Sequence, residues 1–488
     1  MSSFEEIRSA RQHKLHLLEA AFGNAYPAHS SRTHTIADAI SKFSSLLKSK
    51  KSFAIAGRIR ALRPHGGSIF FDIEDNGTVF QGFTRKEDMS EKMFSAFSDA
   101  LDVGDFIEIS GHAYVTKRKE RSMLVTKWHP LAKSMRPLPE KWHGLQDVEE
   151  RYRHRALDVL SNPRTREIFI VRAKLITAIR AYLDALNFLE VETPMLQPIP
   201  GGTTARPFQT HHNALDIDLY LRIAPELYLK RLLVAGYSKI YELARNFRNE
   251  GIDVTHNPEF TMLEAYIAYM DYEGLMKFIE GMMKSLIRTV TKKKSFEHQG
   301  KKIDISKPFK RLSFYDSIKQ YALLPGIESM KRDELLIAAK RFGIDVSANP
   351  ETSALMEDIF RKTVRQHLVQ PTFITDHPVE LLPLAKKSIQ NPKTVQSFQL
   401  YVGGIELVKA FSELNDPIDQ RKRFENQEEL RQRGDEEAQR IDEDFIENLE
   451  YGMPPSAGFG VGIDRFMLLV TDTHNLREVI LFPTLKPR

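Results

Sequence analysis

Ala457-Gly458-Phe459-Gly460-Val461-Gly462 places glycine at every second position. Successive residues of a strand point to opposite faces, so one face of this strand carries no side chains and its backbone can lie close against a ligand. Arg465 then opens the apolar run Phe466-Met467-Leu468-Leu469-Val470, which reads as a buried helix. A guanidinium at that junction is suited to meet a phosphate or to stack on a purine.

A chain of 488 residues predicts two or three domains, and 42% hydrophobic residues suffice for their cores. Cysteine is absent, which excludes disulfides, thiolate zinc sites and a cysteine nucleophile and suits a reducing cytoplasm. The polar start Met1-Ser2-Ser3-Phe4-Glu5-Glu6 is no signal peptide, and no apolar run approaches the roughly 20 residues that span a bilayer, so no membrane partner is expected. A net charge of +5 permits nucleic-acid binding through local patches without predicting it.

Residues 1–50 read as a helical segment, with helices over Glu5–Phe22 and Thr35–Leu47. Five short alternating segments then begin at Phe53, Ser68, Thr78, Asp105 and Ser122, with a turn signal at Asp75-Asn76-Gly77 and a helix-like stretch from Ser90 to Leu101. Five strands with a helix between the third and fourth suit an OB barrel over 51–135, or else another small β-barrel. Met135-Arg136-Pro137-Leu138-Pro139 starts a linker, 136–150. A larger domain, 151–488, opens with a helix over Arg166–Leu186 and alternates strands with helices. Lys292-Lys293-Lys294 reads as a solvated face.

Ile240 to Phe247 reads as a strand running into the loop Arg248-Asn249-Glu250 and on through His256-Asn257-Pro258-Glu259-Phe260 into a second strand. Arg248-x-Glu250, the His-Asn-Pro-Glu-Phe string and the glycine strand resemble motifs 2 and 3 of the class II aminoacyl-tRNA synthetases. Leu186-Asn187-Phe188-Leu189-Glu190-Val191-Glu192-Thr193-Pro194 resembles motif 1, which implies a homodimer interface. Longer strings narrow the resemblance to the class II lysyl-tRNA synthetases over nearly the whole chain: His143-Gly144-Leu145-Gln146-Asp147, Ala205-Arg206-Pro207-Phe208, Arg222-Ile223-Ala224-Pro225-Glu226-Leu227-Tyr228-Leu229-Lys230 and Ser412-Glu413-Leu414-Asn415-Asp416. The fold class implied is α+β, an N-terminal OB barrel plus a catalytic domain built on an antiparallel sheet flanked by helices.

The resemblance implies ATP, L-lysine and tRNA(Lys) as substrates. Condensing a carboxylate with ATP builds charge on the α-phosphate, which a bidentate guanidinium stabilises, so Arg248 and Arg465 are the candidate catalytic residues. Glu250 would accept from the adenine amino group, His256 beside Asn257 would meet the distal phosphates, and Phe260 would stack on adenine opposite Arg465, over the backbone of Gly460 and Gly462. Magnesium is the implied cofactor. Glu406 and Glu413 are its candidate ligands. Seven residues is an odd step, so a turn or bulge must intervene if they share a site. The resemblance divides them, Glu406 matching a metal-binding acid and Glu413 a substrate-binding residue. The family's second metal acid falls at Gln399, brought near 406 by a hairpin at Gly403-Gly404, and glutamine offers no charge.

A lysine pocket must hold two ammonium groups and a four-carbon stem. The resemblance places Gly202, Glu226 and Glu264 at the α-amino end, Tyr266 and Glu413 at the ε-ammonium and Phe411 along the stem. Glu264 and Tyr266 are two apart and so share one strand face. The family usually has asparagine where this chain has Lys409, whose ammonium is expected to pair with the substrate carboxylate or with Glu406 and not to face the ε-amine. In the barrel the resemblance implies anticodon binding, with Phe70 stacked on the central uridine and Arg63 and Glu120 reading its edges. Phe70 and Phe71 are adjacent, so one faces out and the other in. The runner-up reading is a paralogue that transfers lysine or an isomer to a protein.

Overall fold

The computed structural model describes residues 4–139, 145–346, 351–433 and 437–487. Part of the expected linker, with His143 and Gly144, therefore lies outside the described residues. The chain divides into two compact units, Met1–Pro163 and Arg164–Arg488.

The first unit is a closed five-stranded barrel of order β1-β2-β3-β5-β4, with β1 Phe53–His65, β2 Ser68–Asp75, β3 Thr78–Arg85, β4 Phe106–Val115 and β5 Arg121–Ala132. Asn76 and Gly77 both take positive φ, as a tight two-residue hairpin requires, and the helix between β3 and β4 runs from Glu91 to Ala100 behind a Ser90 cap. Ile69, Phe71 and Ile73 alternate into the barrel core. Leu18, Ile36, Ala39 and Phe43 belong to the same core, so the N-terminal helices are part of this unit and not a separate segment. The expected helix over 35–47 breaks at Lys42 into Ile36–Ser41 and Phe43–Ser49.

The second unit is organised by an eight-stranded sheet of order β9-β10-β11-β12-β13-β8-β7-β6. Its strands are β6 Leu189–Glu190, β7 Lys239–Phe247, β8 Glu259–Ala268, β9 Lys310–Ser313, β10 Thr372–Thr375, β11 Ser397–Val402, β12 Ile405–Ser412 and β13 Ser456–Gly462. All pairs are antiparallel except the outermost pair at each end, β9–β10 and β7–β6. The faces divide by chemistry. Leu263, Ala265 and Ile267 of β8, Val408 and Ala410 of β12, and Phe459 and Val461 of β13 bury against helices α1 (Pro163–Asp184), α3 (Tyr272–Thr291) and α4 (Ile463–Thr471). Helix α2 (Glu226–Val234) carries pocket acid Glu226 at its first residue. The alternate residues of the same strands form the opposite, polar face, and the site is there.

Candidate active site

The site follows from the register. Lys409, Gly460, Glu264 and Glu242 are consecutive partners across β12, β13, β8 and β7, with Gln399 of β11 continuing the row. Two residues along, Phe411, Gly458 and Tyr266 form a second row, and Gly462 with Met262 forms a third on the other side. Each glycine thus opens one level of a groove between β12 and β8. The groove holds two cavities. One of about 90 Å³ is walled by the Glu264 and Tyr266 rows; the other, of about 240 Å³, lies towards Gly462 and Arg465.

All six candidate lysine-pocket residues, Gly202, Glu226, Glu264, Tyr266, Phe411 and Glu413, line the smaller cavity. Gly202 has φ +93°, and a Cβ there would press on Glu226 and Ala224, so the close approach requires glycine. Burial, reinforced by the charge of Glu226, pushes the Glu264 carboxyl up to about 8, and burial likewise raises Glu413. Lys230 is a member of this cluster that sequence reasoning left without a role. Its fully buried ammonium lies 2.8 Å from Glu226 and 2.6 Å from Glu413, and the two acids hold its pKa above the ordinary value against the opposing pull of burial. The Glu226-x-x-x-Lys230 spacing signals a helical ion pair; nothing in it shows that both side chains enter a pocket. Three acids against one internal ammonium leave carboxyl groups that a ligand ammonium can pair with and ionise.

Glu250, His256, Asn257, Phe260, Glu406, Gly460, Gly462 and Arg465 line the larger cavity. The Arg248 guanidinium lies 5.0 Å from the Phe260 ring centre, and its Nε is buried without a hydrogen-bond partner. The Arg248 amide closes the loop by donating to the Pro258 carbonyl at 2.8 Å. The His256 Nδ1 pairs with Asp253 at 2.8 Å, which leaves Nε2 3.2 Å from Arg465. Asn257 donates its side-chain amide to the Glu259 carbonyl, so it braces the hairpin. Arg465 is 3.9 Å from Glu406, and Asp464, fixed by Arg172 at 2.6 Å, accepts from the Thr261 amide and fastens the start of α4 to β8.

Glu406 and Glu413 do not form one metal site. A bulge in β12, where Leu407 is the extra residue between the pairs Tyr401–Glu406 and Leu400–Val408, does turn Glu406 onto the polar face. But seven residues of strand still set the two acids roughly 20 Å apart, and Glu413 is engaged by Lys230 in the other cavity. Glu413 therefore does not join Glu406 as a metal ligand. The Gly403-Gly404 hairpin brings Gln399 and Glu406 to one hydroxyl, that of Tyr401, at 3.0 and 3.4 Å. The Gln399 Oε1 also meets His377 Nε2 at 3.1 Å. Among the described residues no group of three or more histidine or acidic side chains converges as a metal site. A lone carboxylate, Glu406, fits a magnesium ion that takes its remaining ligands from phosphates and water.

On the barrel, Phe71 is in the core and Phe70 lies on the outer face, stacked on Phe83 with ring centres 4.4 Å apart; Phe83 in turn stacks on Tyr114 at 5.8 Å. Arg63, the cross-strand partner of Phe70, is held by Asp72 through two 2.7 Å bonds and feels the charge of Glu120. The three candidate anticodon residues are thus together, joined by an aromatic ladder of Phe83, the hairpin partner of Phe70, and Tyr114 of β4.

These features coincide with two family models. Residues 147–486 match the tRNA synthetases class II (D, K and N), and residues 53–131 match an OB-fold nucleic acid binding domain. Among curated proteins, the lysine–tRNA ligase of Moorella thermoacetica is 46% identical over 99% of this chain and 98% of its own. That of Syntrophomonas wolfei is 48% identical over 90% and 89%, and that of Pelotomaculum thermopropionicum 45% over 99% and 95%. The chain belongs to the lysine–tRNA ligase family of class II tRNA synthetases, and it is an aminoacyl-tRNA ligase, as the motif strings imply.

Proposed function

We propose that the protein activates lysine with ATP to lysyl-adenylate and pyrophosphate, then transfers the lysyl group to the terminal ribose of tRNA(Lys). The observation that carries this reading is the meeting of two unlike cavities at Arg248: one lined by three acids, the other by Arg465, His256 and Phe260. Lysine enters the first with its ε-ammonium at Glu413 and Tyr266 and its α-ammonium at Glu226 and Glu264. ATP occupies the second, its adenine between Phe260 and Arg465 with Glu250 at the amino group, and His256 at the distal phosphates. Arg248 at the boundary stabilises the charge that grows on the α-phosphate. A magnesium ion held by Glu406 and ATP phosphates would neutralise phosphate charge. Leucine or methionine is rejected because neither offers an ammonium to the buried acids that Lys230 alone does not satisfy, at a cost of about 1–3 kcal/mol. Lysine-dependent exchange of pyrophosphate into ATP tests the reading; exchange that depends on another amino acid refutes it.

The raised carboxyl of Glu264 sets a pH dependence. With its pKa at about 8 in the empty pocket, Glu264 holds its proton at pH 7, and an arriving ammonium favours the ionised form. Binding therefore releases that proton, and lysine affinity falls as pH is lowered below 8, by up to about tenfold per unit. Calorimetry in two buffers of different ionisation enthalpy is expected to show release of about one proton or more per lysine at pH 7; buffer-independent heats would contradict it.

The aromatic ladder supports anticodon recognition. Phe70→Ala is expected to lower kcat/KM for tRNA by about 10- to 100-fold, the loss of one stacked base, while leaving pyrophosphate exchange unchanged. Leu189 on the edge strand β6, and Met195 and Leu196 just after the motif 1 segment, remain close to half exposed, which supports a homodimer through this region. No described helix is long and apolar enough to cross a membrane, and we place the enzyme in the cytoplasm.

A further inference from the structure

The two cavities share five wall residues: Thr203, Arg248, Met262, Lys409 and Gly460. Two of the five are cations. Arg248 stands on the loop after β7 and Lys409 on β12, with side-chain-free Gly460 beside it. Among the described residues no hydrogen bond or ion pair engages the Lys409 ammonium. Its strand neighbour Gln399 is neutral, and the Gln399 Oε1 already meets both Tyr401 and His377. Glu406 feels the Lys409 charge but stands at the far side of the bulge, towards Arg465. So a carboxylate is missing from the row where a second metal ion would need one, and a fixed cation stands in that row instead.

We propose that Lys409 is a catalytic residue of adenylation, whose ammonium contacts the α-phosphate opposite Arg248 and supplies the positive charge that a metal ion bound at position 399 would bring. The inference rests on the adenylation reading above and names how that site is charged. In the step itself a lysine carboxylate oxygen forms a bond to the α-phosphorus. The bond from that phosphorus to the oxygen bridging to the β-phosphorus breaks, and pyrophosphate leaves with the electron pair. No proton moves, so Lys409 stays an ammonium throughout, and its task is to neutralise the oxygens on which charge gathers. Lys409 lies one level of the groove away from Phe411, towards the nucleotide, so its charge does not oppose the ε-ammonium at Glu413.

The test compares the wild type with Lys409→Met and with the paired exchange Gln399→Glu/Lys409→Asn. Lys409→Met is expected to slow lysine-dependent pyrophosphate exchange about 100-fold in kcat, the usual effect of removing one charge-stabilising donor, with little change in the lysine dissociation constant. The paired exchange is expected to recover most of that rate. It is also expected to bind one more Mn2+ per chain than the wild type in the complex with a non-hydrolysable ATP analogue, counted by electron paramagnetic resonance. An unaltered rate in Lys409→Met, or equal Mn2+ counts in the wild type and the paired exchange, would overturn the role of Lys409 while leaving the function intact. Absence of exchange in the wild type would overturn the adenylation reading and this inference with it.

Discussion

Arg248→Lys is expected to cost about a thousandfold in kcat for lysine-dependent pyrophosphate exchange, at the upper end of what one oxyanion donor contributes. The charge is conserved by this change, so the loss measures geometry. A guanidinium presents a flat pair of donors and lies against an aromatic face, here the Phe260 ring. The buried Nε without a partner marks a donor held ready for a ligand. An ammonium on a flexible stem supplies neither the fork nor the stacking. The neighbouring Arg465 lowers the Arg248 pKa further after burial has done most of the work, so the two cations repel until an anion joins them. The fold should not suffer, because the loop is closed by the Arg248 main chain. A thermal midpoint within a few degrees of wild type, together with the large kinetic loss, is the expected pair of results. A loss below tenfold would remove Arg248 from the reacting phosphate.

Gly458→Ala is expected to raise the KM for lysine at least 100-fold, the second large effect. An added Cβ would overlap the Glu413 Oε1 and the Tyr266 ring, the two groups assigned to the ε-ammonium. Neither can yield easily, since Glu413 is tied to Lys230 and Tyr266 is buried among the acids. Overpacking of this kind costs about 1–3 kcal/mol, so the empty enzyme should also melt earlier. At Gly460 the nearest atoms to an added Cβ are Met262 Sδ at 3.4 Å, Met262 Cε at 3.6 Å and Glu264 Cγ at 3.8 Å. Gly460→Ala should therefore fold as well as wild type and fail only when substrates fill the space between the cavities. Steady-state kinetics and thermal melts of both variants separate the cases. Equal melting temperatures for the two would contradict the packing account.

The contrast shows where sequence reading reached and where it stopped. Alternate glycines announce a bare strand face, and the structure has one. The pattern does not say that Gly458 is bare to admit Glu413 and Tyr266, while Gly460 and Gly462 are bare towards the ligand, because that depends on the neighbouring strands β12 and β8, which lie elsewhere in the sequence. The barrel strands and the Ser90-capped helix were legible because alternation and capping are local. The union of the N-terminal helices with the barrel core was not, since Leu18 and Phe43 carry no mark of their distant partners. The Glu406–Glu413 pairing failed for a metric reason: the bulge repaired the parity of the two side chains but could not shorten the strand between them. Lys230 went unread because an acid four residues before a lysine on a helix is commonplace at solvated surfaces. Phe83 is the cross-strand partner of Phe70 across the Asn76-Gly77 hairpin and was within reach of that turn signal. Only Tyr114, on β4, needed the closure of the barrel to join the stack.

The most direct test of the account is transfer of labelled lysine to unfractionated tRNA by the purified protein with ATP and magnesium. The account predicts charging that lysine supports and leucine and methionine do not, reduced by Phe70→Ala and nearly abolished by Arg248→Lys. Lysine-dependent pyrophosphate release without any charged tRNA would contradict it and would direct the activated lysine to a protein acceptor.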